Sequence, residues 1–236
     1  TGVVPDKIKW LANKDDLIHG VRSMCNVWKS DRRIAAITLS EIVGEVSAKL
    51  MGWPGALANQ DNLFWVPPGC GTTGHHQDNS YQDWHIPGEI ITCWIALADT
   101  TIDGGTLEFI SSSHKWPLGN RIEQFSSPKN YRKELKRVAK ELDKEIEIVP
   151  LVIPAGGASF HHGKLWHGSN YNRSNFPRLS VSTHCMSSIS TFHPTIPSPV
   201  FNHYKRFNDL QMDENFFPIL WTENGKRSSY LNEYLN

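Results

Sequence analysis

A mainly β fold with supporting helices is what this sequence predicts, on three observations. Short runs of β-branched and aromatic residues recur along the chain, clusters of Gly, Pro, Asn and Asp separate them, and only two stretches carry helical spacing. At 236 residues the length suits one all-β domain, and nine tryptophans within a 39% hydrophobic fraction can fill a core and still leave rings for a pocket.

The first strong pattern is helical. DRRIAAITLSEIVGEVSAKLMG (31–52) places apolar side chains at 34, 37 or 38, 42, 46 and 50 and ends at glycine, so one amphipathic helix is expected there. Strand-like runs follow in LFWV (63–66), ITCWIALA (91–98), TLEFI (106–110), EIEIVPLVI (145–153), GASFHH (157–162) and RLSVSTHC (178–185). PPGCG, DGG, PAGG and NYNRSNFP supply turn chemistry between them, and a second helix is expected near 129–143. No repeat, low-complexity stretch or linker interrupts the chain. Residues 1–236 therefore read as a single domain, with a helical part about 1–55, a β core about 60–185, and a tail 186–236 of irregular segments wrapped over the core.

Lys+Arg and Asp+Glu are both 24, and a neutral chain lacks the electrostatic footprint of a duplex-binding protein, so no nucleic-acid partner is expected. The basic YRKELKRVAK (131–140) runs straight into acidic ELDKEIE, which reads as a solvated helix face. Cysteines 25, 70, 93 and 185 show no CxxC spacing, and two sit in apolar or alternating runs; reduced thiols and a cytoplasmic setting are the expectation. No stretch approaches the roughly 20 apolar residues of a membrane span. The chain starts at Thr1, which leaves room for an upstream targeting segment. Its oligomeric state is not readable.

Two segments carry chemistry. In GHHQDNSYQDW (74–84), His76 and Asp78 stand two apart and, on an extended chain, project from one face. A third ligand from elsewhere would complete two imidazoles and one carboxylate, the facial triad that holds Fe(II) with three positions open. FHHGKLWHGSNYNRSNFPR (160–178) offers His167, and its turn-rich connection is expected to fold as a hairpin that returns Arg178 beside it. The planar guanidinium suits a carboxylate gripped at two points.

The ordered set HHQDNSY, CWIALADTTIDGGTLEFISSSHK and FHHGKLWHGSNYNRSNFPR resembles the phytanoyl-CoA dioxygenase family of Fe(II)/2-oxoglutarate oxygenases, over about residues 62–184. The resemblance implies a double-stranded β-helix core of the jelly-roll or cupin kind. It implies Fe(II) held by His76, Asp78 and His167, with 2-oxoglutarate and O2 as cosubstrates. Arg178 would grip 2-oxoglutarate, assisted by Ser169, with Trp94 and Asn62 lining its pocket. The implied reaction turns 2-oxoglutarate into succinate and CO2 while a small-molecule substrate is hydroxylated; desaturation, cyclisation and epimerisation stay open. Halogenation is disfavoured, since Asp78 fills the place that halogenating relatives leave for chloride. The chain departs from some members at Val66, where they carry lysine before Pro67 and Pro68.

The neighbouring residues read differently. His75 has no carboxylate two residues on. His161 and His162 read as hydrogen-bonded structural histidines, Asp83 and His85 as rim or surface, and Trp65, Trp84 and Trp166 as core or rim. Gly104 and Gly105 read as a turn, since no phosphate-loop context surrounds them. Two other functions stand beside the oxygenase: a noncatalytic metal-binding protein of the same fold, and a nucleic-acid demethylase.

Overall fold

The structure is a computed structural model describing residues 4–11 and 20–235. Residues 1–3 and 12–19, part of the expected N-terminal helical region, and Asn236 lie outside the described residues. In chain order the strands are β1 Lys7–Leu11, β2 Val21–Cys25, β3 Gly55–Val66, β4 Thr73–His76, β5 His85–Ile86, β6 Ile91–Ala96 and β7 Leu107–Ile110. They continue as β8 Ile148–Pro150, β9 Ala158–His162, β10 His167–Ser169, β11 Arg178–Ser187, β12 Thr191–Phe192 and β13 Ile219–Thr222. The α-helices are α1 Arg32–Thr38, α2 Glu41–Met51, α3 Lys133–Glu141 and α4 Leu231–Leu235.

Two antiparallel sheets face each other. The larger runs β1-β2-β3-β11-β6-β9 with β13 added on β3, and the smaller runs β4-β10-β7-β8. This is the expected jelly-roll core. No described helix is long and apolar enough to cross a membrane.

The large sheet sorts its residues by two-residue alternation. On β6 and β11, Ile91, Cys93, Ile95, Val181 and Cys185 turn outward into a core shared with Leu39 of the α1–α2 junction, Val43 and Ala48. Each large side chain fully buried there stabilises the fold by about 1.5–3 kcal/mol. The intervening Thr92, Trp94, Ser180, Ser182 and His184 turn inward and line a cavity between the sheets.

Three expectations need correction. The helix of 31–52 is two helices, broken where Ser40 turns extended at φ −65° and ψ 146°; Asp31 caps the first through the N–H groups of Arg33 and Ile34. Ile42 and Leu50 are exposed, and α2 buries Val43, Gly44, Ser47 and Ala48 instead. Small residues are needed on that face because a Cβ at Gly44 would meet Leu220 Cβ at 2.5 Å. Second, the part about 1–55 is not wholly helical, since β1 and β2 extend the large sheet beside β3. Third, the tail is more than wrapping: β13 pairs with β3, and Phe192, Phe201 and Phe217 build a separate core with Trp84.

Candidate metal and cosubstrate site

His76 ends β4, Gln77 keeps the chain extended at φ −115° and ψ 127°, and Asp78 opens a short 3-10 turn. The i, i+2 geometry brings His76 Nε2 within 3.2 Å of Asp78 Oδ1. Gln77 points the opposite way, donating to Lys164 O at 2.7 Å and accepting from Gly119 N–H at 2.7 Å. His167 arrives from the next strand, paired in register with His76, and its Nε2 lies 3.6 Å from Asp78 Oδ1. Ligand atoms of His76, Asp78 and His167 all lie within 4.8 Å of one another.

The backbone fixes which nitrogen each imidazole presents. His76 Nδ1 lies 2.8 Å from Gly74 O and His167 Nδ1 lies 3.0 Å from Leu165 O. A carbonyl can only accept, so both Nδ1 atoms carry the proton and both Nε2 atoms face inward as lone pairs. Two imidazole lone pairs and a carboxylate oxygen then face each other with no proton between them. That donor set fits Fe(II).

Burial alone would raise the Asp78 carboxyl, but the surrounding imidazoles, His167 first, hold it well below the usual carboxylate range. His167 is pushed well below the ordinary imidazole value by burial, with Asp78 opposing the shift. Burial thus favours the neutral imidazole at His167, the state in which it can ligate a metal.

The outer carboxylate oxygen has its own ring of neighbours. Thr92 donates its hydroxyl to Asp78 Oδ2 at 2.8 Å, with His161 Nε2 at 3.6 Å and His184 Nδ1 at 3.9 Å. The sequence reading missed Thr92 and His184 and took His161 for a hydrogen-bonded structural residue. His161 is buried and neither ring nitrogen has a hydrogen-bond partner among the described residues. Alternation would have found the first two: Thr92 stands two before Trp94, and His184 six after Arg178.

Arg178 is buried and forms no ion pair among the described residues; Nη1 donates to Gly105 O at 2.6 Å and Nε has no partner. Burial lowers it to about 10, so it stays charged. The hydroxyls of Ser169 and Ser180 are buried and unpartnered as well. A buried guanidinium without counter-charge is costly, and a carboxylate from a ligand would relieve it. Trp94 is buried on the cavity wall, and Asn62, its neighbour but one across β11, lines the same space.

The expected hairpin between His167 and Arg178 is not formed. β10 pairs with β4 and β7, whereas β11 pairs with β3 and β6, so the connection crosses between sheets. Asn172 pins the crossing by donating to Val66 O at 3.0 Å and Phe176 O at 2.9 Å. The two residues thus approach the cavity from opposite walls. Gly168 allows β10 to lie close to β4, since a Cβ there would meet His75 Nδ1 at 2.7 Å. Gly105 forms the expected turn at φ 66°.

The neighbours sort as follows. His75 points away to Glu108 Oε2 at 3.6 Å, and burial lowers it to about 3. Asp83 is on the surface with Arg121, but His85 is buried against Trp84 rather than at a rim. Trp166 is core, Trp65 is covered by Arg22, and Trp84 belongs both to a core and to the cavity wall.

A jelly roll carrying two imidazoles and a carboxylate at one end, with a lone buried arginine across the cavity, defines the class of Fe(II)- and 2-oxoglutarate-dependent dioxygenases. A family model described as phytanoyl-CoA dioxygenase (PhyH) matches residues 12–180. The chain belongs to the phytanoyl-CoA dioxygenase family. It is 26% identical over 223 residues to phytanoyl-CoA dioxygenase domain-containing protein 1 of Danio rerio, covering 94% of this chain and 72% of that protein. It is 30% identical over 152 residues to the peroxisomal phytanoyl-CoA dioxygenase of Bos taurus, covering 62% of this chain and 44% of that protein. Among solved structures, the non-heme alpha ketoglutarate dependent carbocyclase SnoK from nogalamycin biosynthesis is similar at a TM-score of 0.70 and 18% identity, covering 91% of this chain and 81% of that one. The epimerase SnoN, in complex with Fe3+, alpha ketoglutarate and nogalamycin RO, is similar at 0.68 and 15%, covering 91% and 83%. These two likenesses concern the fold.

Proposed function

We propose that residues 1–236 act as one catalytic domain that hydroxylates a small organic molecule, with His76, Asp78 and His167 holding Fe(II) and Arg178 holding 2-oxoglutarate. The observation that carries this reading is the pairing of three inward-facing lone-pair donors with a buried arginine that has no counter-charge. When bound, iron and 2-oxoglutarate supply the oxidant, releasing succinate and CO2 as one oxygen atom passes to the substrate.

The protein's part is holding and excluding. The carbonyls of Gly74 and Leu165 keep the Nδ1 protons in place, so both Nε2 atoms stay available. Thr92 occupies Asp78 Oδ2 and leaves Oδ1 facing the imidazoles. Arg178 grips the far carboxylate of 2-oxoglutarate, with Ser169 assisting and Trp94 and Asn62 bounding the pocket. Trp84, Phe125 and Phe201 give the cavity an apolar wall that keeps bulk water from the reacting atoms. Its volume of about 340 Å3 suits a small molecule beside the cosubstrate.

The test is stoichiometric conversion of 2-oxoglutarate to succinate by the iron-loaded protein over a metabolite library. Substrate-stimulated turnover with a one-oxygen mass gain supports the reading. An iron-loaded protein that binds but never turns over 2-oxoglutarate supports a noncatalytic relative instead.

A further inference from the structure

The register of the large sheet sets residues in rows across the inner face. One row runs Trp94, Ser182, Asn62, Cys25, Lys7, and the next runs Ser180, Phe64, Ser23, Lys9. Both lysines line the same cavity as the triad. They stand on β1, at the sheet edge, three strand spacings from β11, on the order of 14 Å measured along the sheet. We propose that Lys7 and Lys9 form the recognition end of the substrate pocket and select a small molecule carrying a carboxylate or phosphate on an apolar body. This rests on the function proposed above and names its substrate class.

Charge is the first support. Among the described residues Asp78 is the only acid lining the cavity, and it is surrounded by imidazoles. With Fe(II), 2-oxoglutarate, Asp78 and Arg178 all present their charges cancel, which leaves the two ammonium groups without an opposite charge. Lys7 and Lys9 are exposed where they line the cavity and make no hydrogen bond or ion pair among the described residues, whereas nearby Lys29 is paired with Asp6. Asp6, next along β1, is bonded to Lys29, Asn26 and Tyr204 and so is not available to them. Burial, and then the charge of Lys7, pull Lys9 below the usual ammonium value, a strain that a bound anion would relieve.

The apolar side chains that line the same cavity supply the second support. Phe64, Trp84, Phe125, Val200 and Phe201 give rings and an isopropyl group against which an apolar body packs. One cavity thus offers two ammonium groups, apolar rings and the metal end together, the set that holds an amphiphilic acid with one carbon at the metal.

Some members of the family carry a lysine before the Pro-Pro pair, where this chain has Val66. On the structure that position lies on β3, paired with Arg178 and two strands from β1, so the cations come from a different strand.

The experiment uses the anaerobic protein loaded with Fe(II) and saturating 2-oxoglutarate, so that Arg178 is occupied. Four probes of one shape are titrated by ligand-observed NMR: 3-phenylpropanoate, 2-phenylethyl phosphate, 3-phenylpropanol and 3-phenylpropylamine. The anions are expected to bind about tenfold or more tighter than the alcohol, with the amine weakest. The double variant Lys7→Gln/Lys9→Gln should lose that preference while keeping its affinity for the alcohol and for 2-oxoglutarate. Whether carboxylate or phosphate ranks first identifies the head group. Equal affinity for all four, down to none, or a preference that survives in the double variant, overturns the proposal and leaves the lysines as guards of a sheet edge. Failure of Fe(II) or 2-oxoglutarate to bind appears in the loading step and counts against the oxygenase reading alone.

Discussion

Replacing Arg178 by glutamine separates a cosubstrate site from a structural ion, and the structure gives the size of the effect. The guanidinium is buried, spends one N–H on Gly105 O and has Nε free. Glutamine cannot supply the fork or the charge. Loss of a charge-assisted pair at a mostly buried site costs about 2–4 kcal/mol, roughly thirtyfold to several hundredfold in affinity. Lysine should restore only part, since it offers a point charge without the paired geometry. Without ligand the sign reverses: the wild type carries an uncompensated buried cation, so Arg178→Gln should unfold no more readily than wild type. The assay is titration of 2-oxoglutarate into the anaerobic, iron-loaded proteins, with denaturant melts of the ligand-free forms. Equal dissociation constants would remove Arg178 from the site, and a large loss of ligand-free stability would make it a structural residue.

Thr92→Val removes the hydroxyl held by Asp78 Oδ2 and should lower iron affinity by about ten- to a hundredfold with the fold intact, read by competition with a chelator; unchanged affinity would make Thr92 a bystander. Val66→Lys places a second buried cation opposite Arg178 and should lower ligand-free stability by about 1–3 kcal/mol, with part recovered on adding 2-oxoglutarate; a variant as stable as wild type in the absence of 2-oxoglutarate contradicts this. Asp61, inside β3, is raised to about 6 by burial, although it accepts from Val27 N–H, Trp28 N–H and the Thr38 hydroxyl. Its folded value lies above the ordinary 3.8, so the folded state keeps a proton that the unfolded chain releases. Stability relative to Asp61→Asn should therefore fall as pH rises from about 4 to 6, by on the order of 3 kcal/mol, and stay level above; a difference that is flat with pH would refute it.

What could be read in advance was what lies within a few residues. His76 and Asp78 converge through one extended residue, and inward and outward positions on β6 and β11 follow from alternation. Sheet-to-sheet geometry was harder. NYNRSNFP has the composition of a hairpin turn, yet Asn172 ties it into a crossing between sheets through bonds to Val66 and Phe176. The break at Ser40 and the small-residue face of α2 depend on how closely Leu220 approaches, a contact from the far end of the chain. β1 was legible, since Lys7, Ile8 and Lys9 alternate, but it was passed over in a part expected to be helical. The imidazoles around Asp78 come from β4, β9, β10 and β11, and only the sheet register brings His161 and His184 to one carboxylate.

The central claim is that His76, Asp78 and His167 hold one iron ion, and equilibrium dialysis with Fe(II) under anaerobic conditions tests it most directly. The account predicts one Fe(II) per wild-type chain, and a loss of about tenfold or more in affinity in each of His76→Ala, Asp78→Ala and His167→Ala while the fold persists by circular dichroism. Wild-type iron affinity in any one of the folded variants would contradict it.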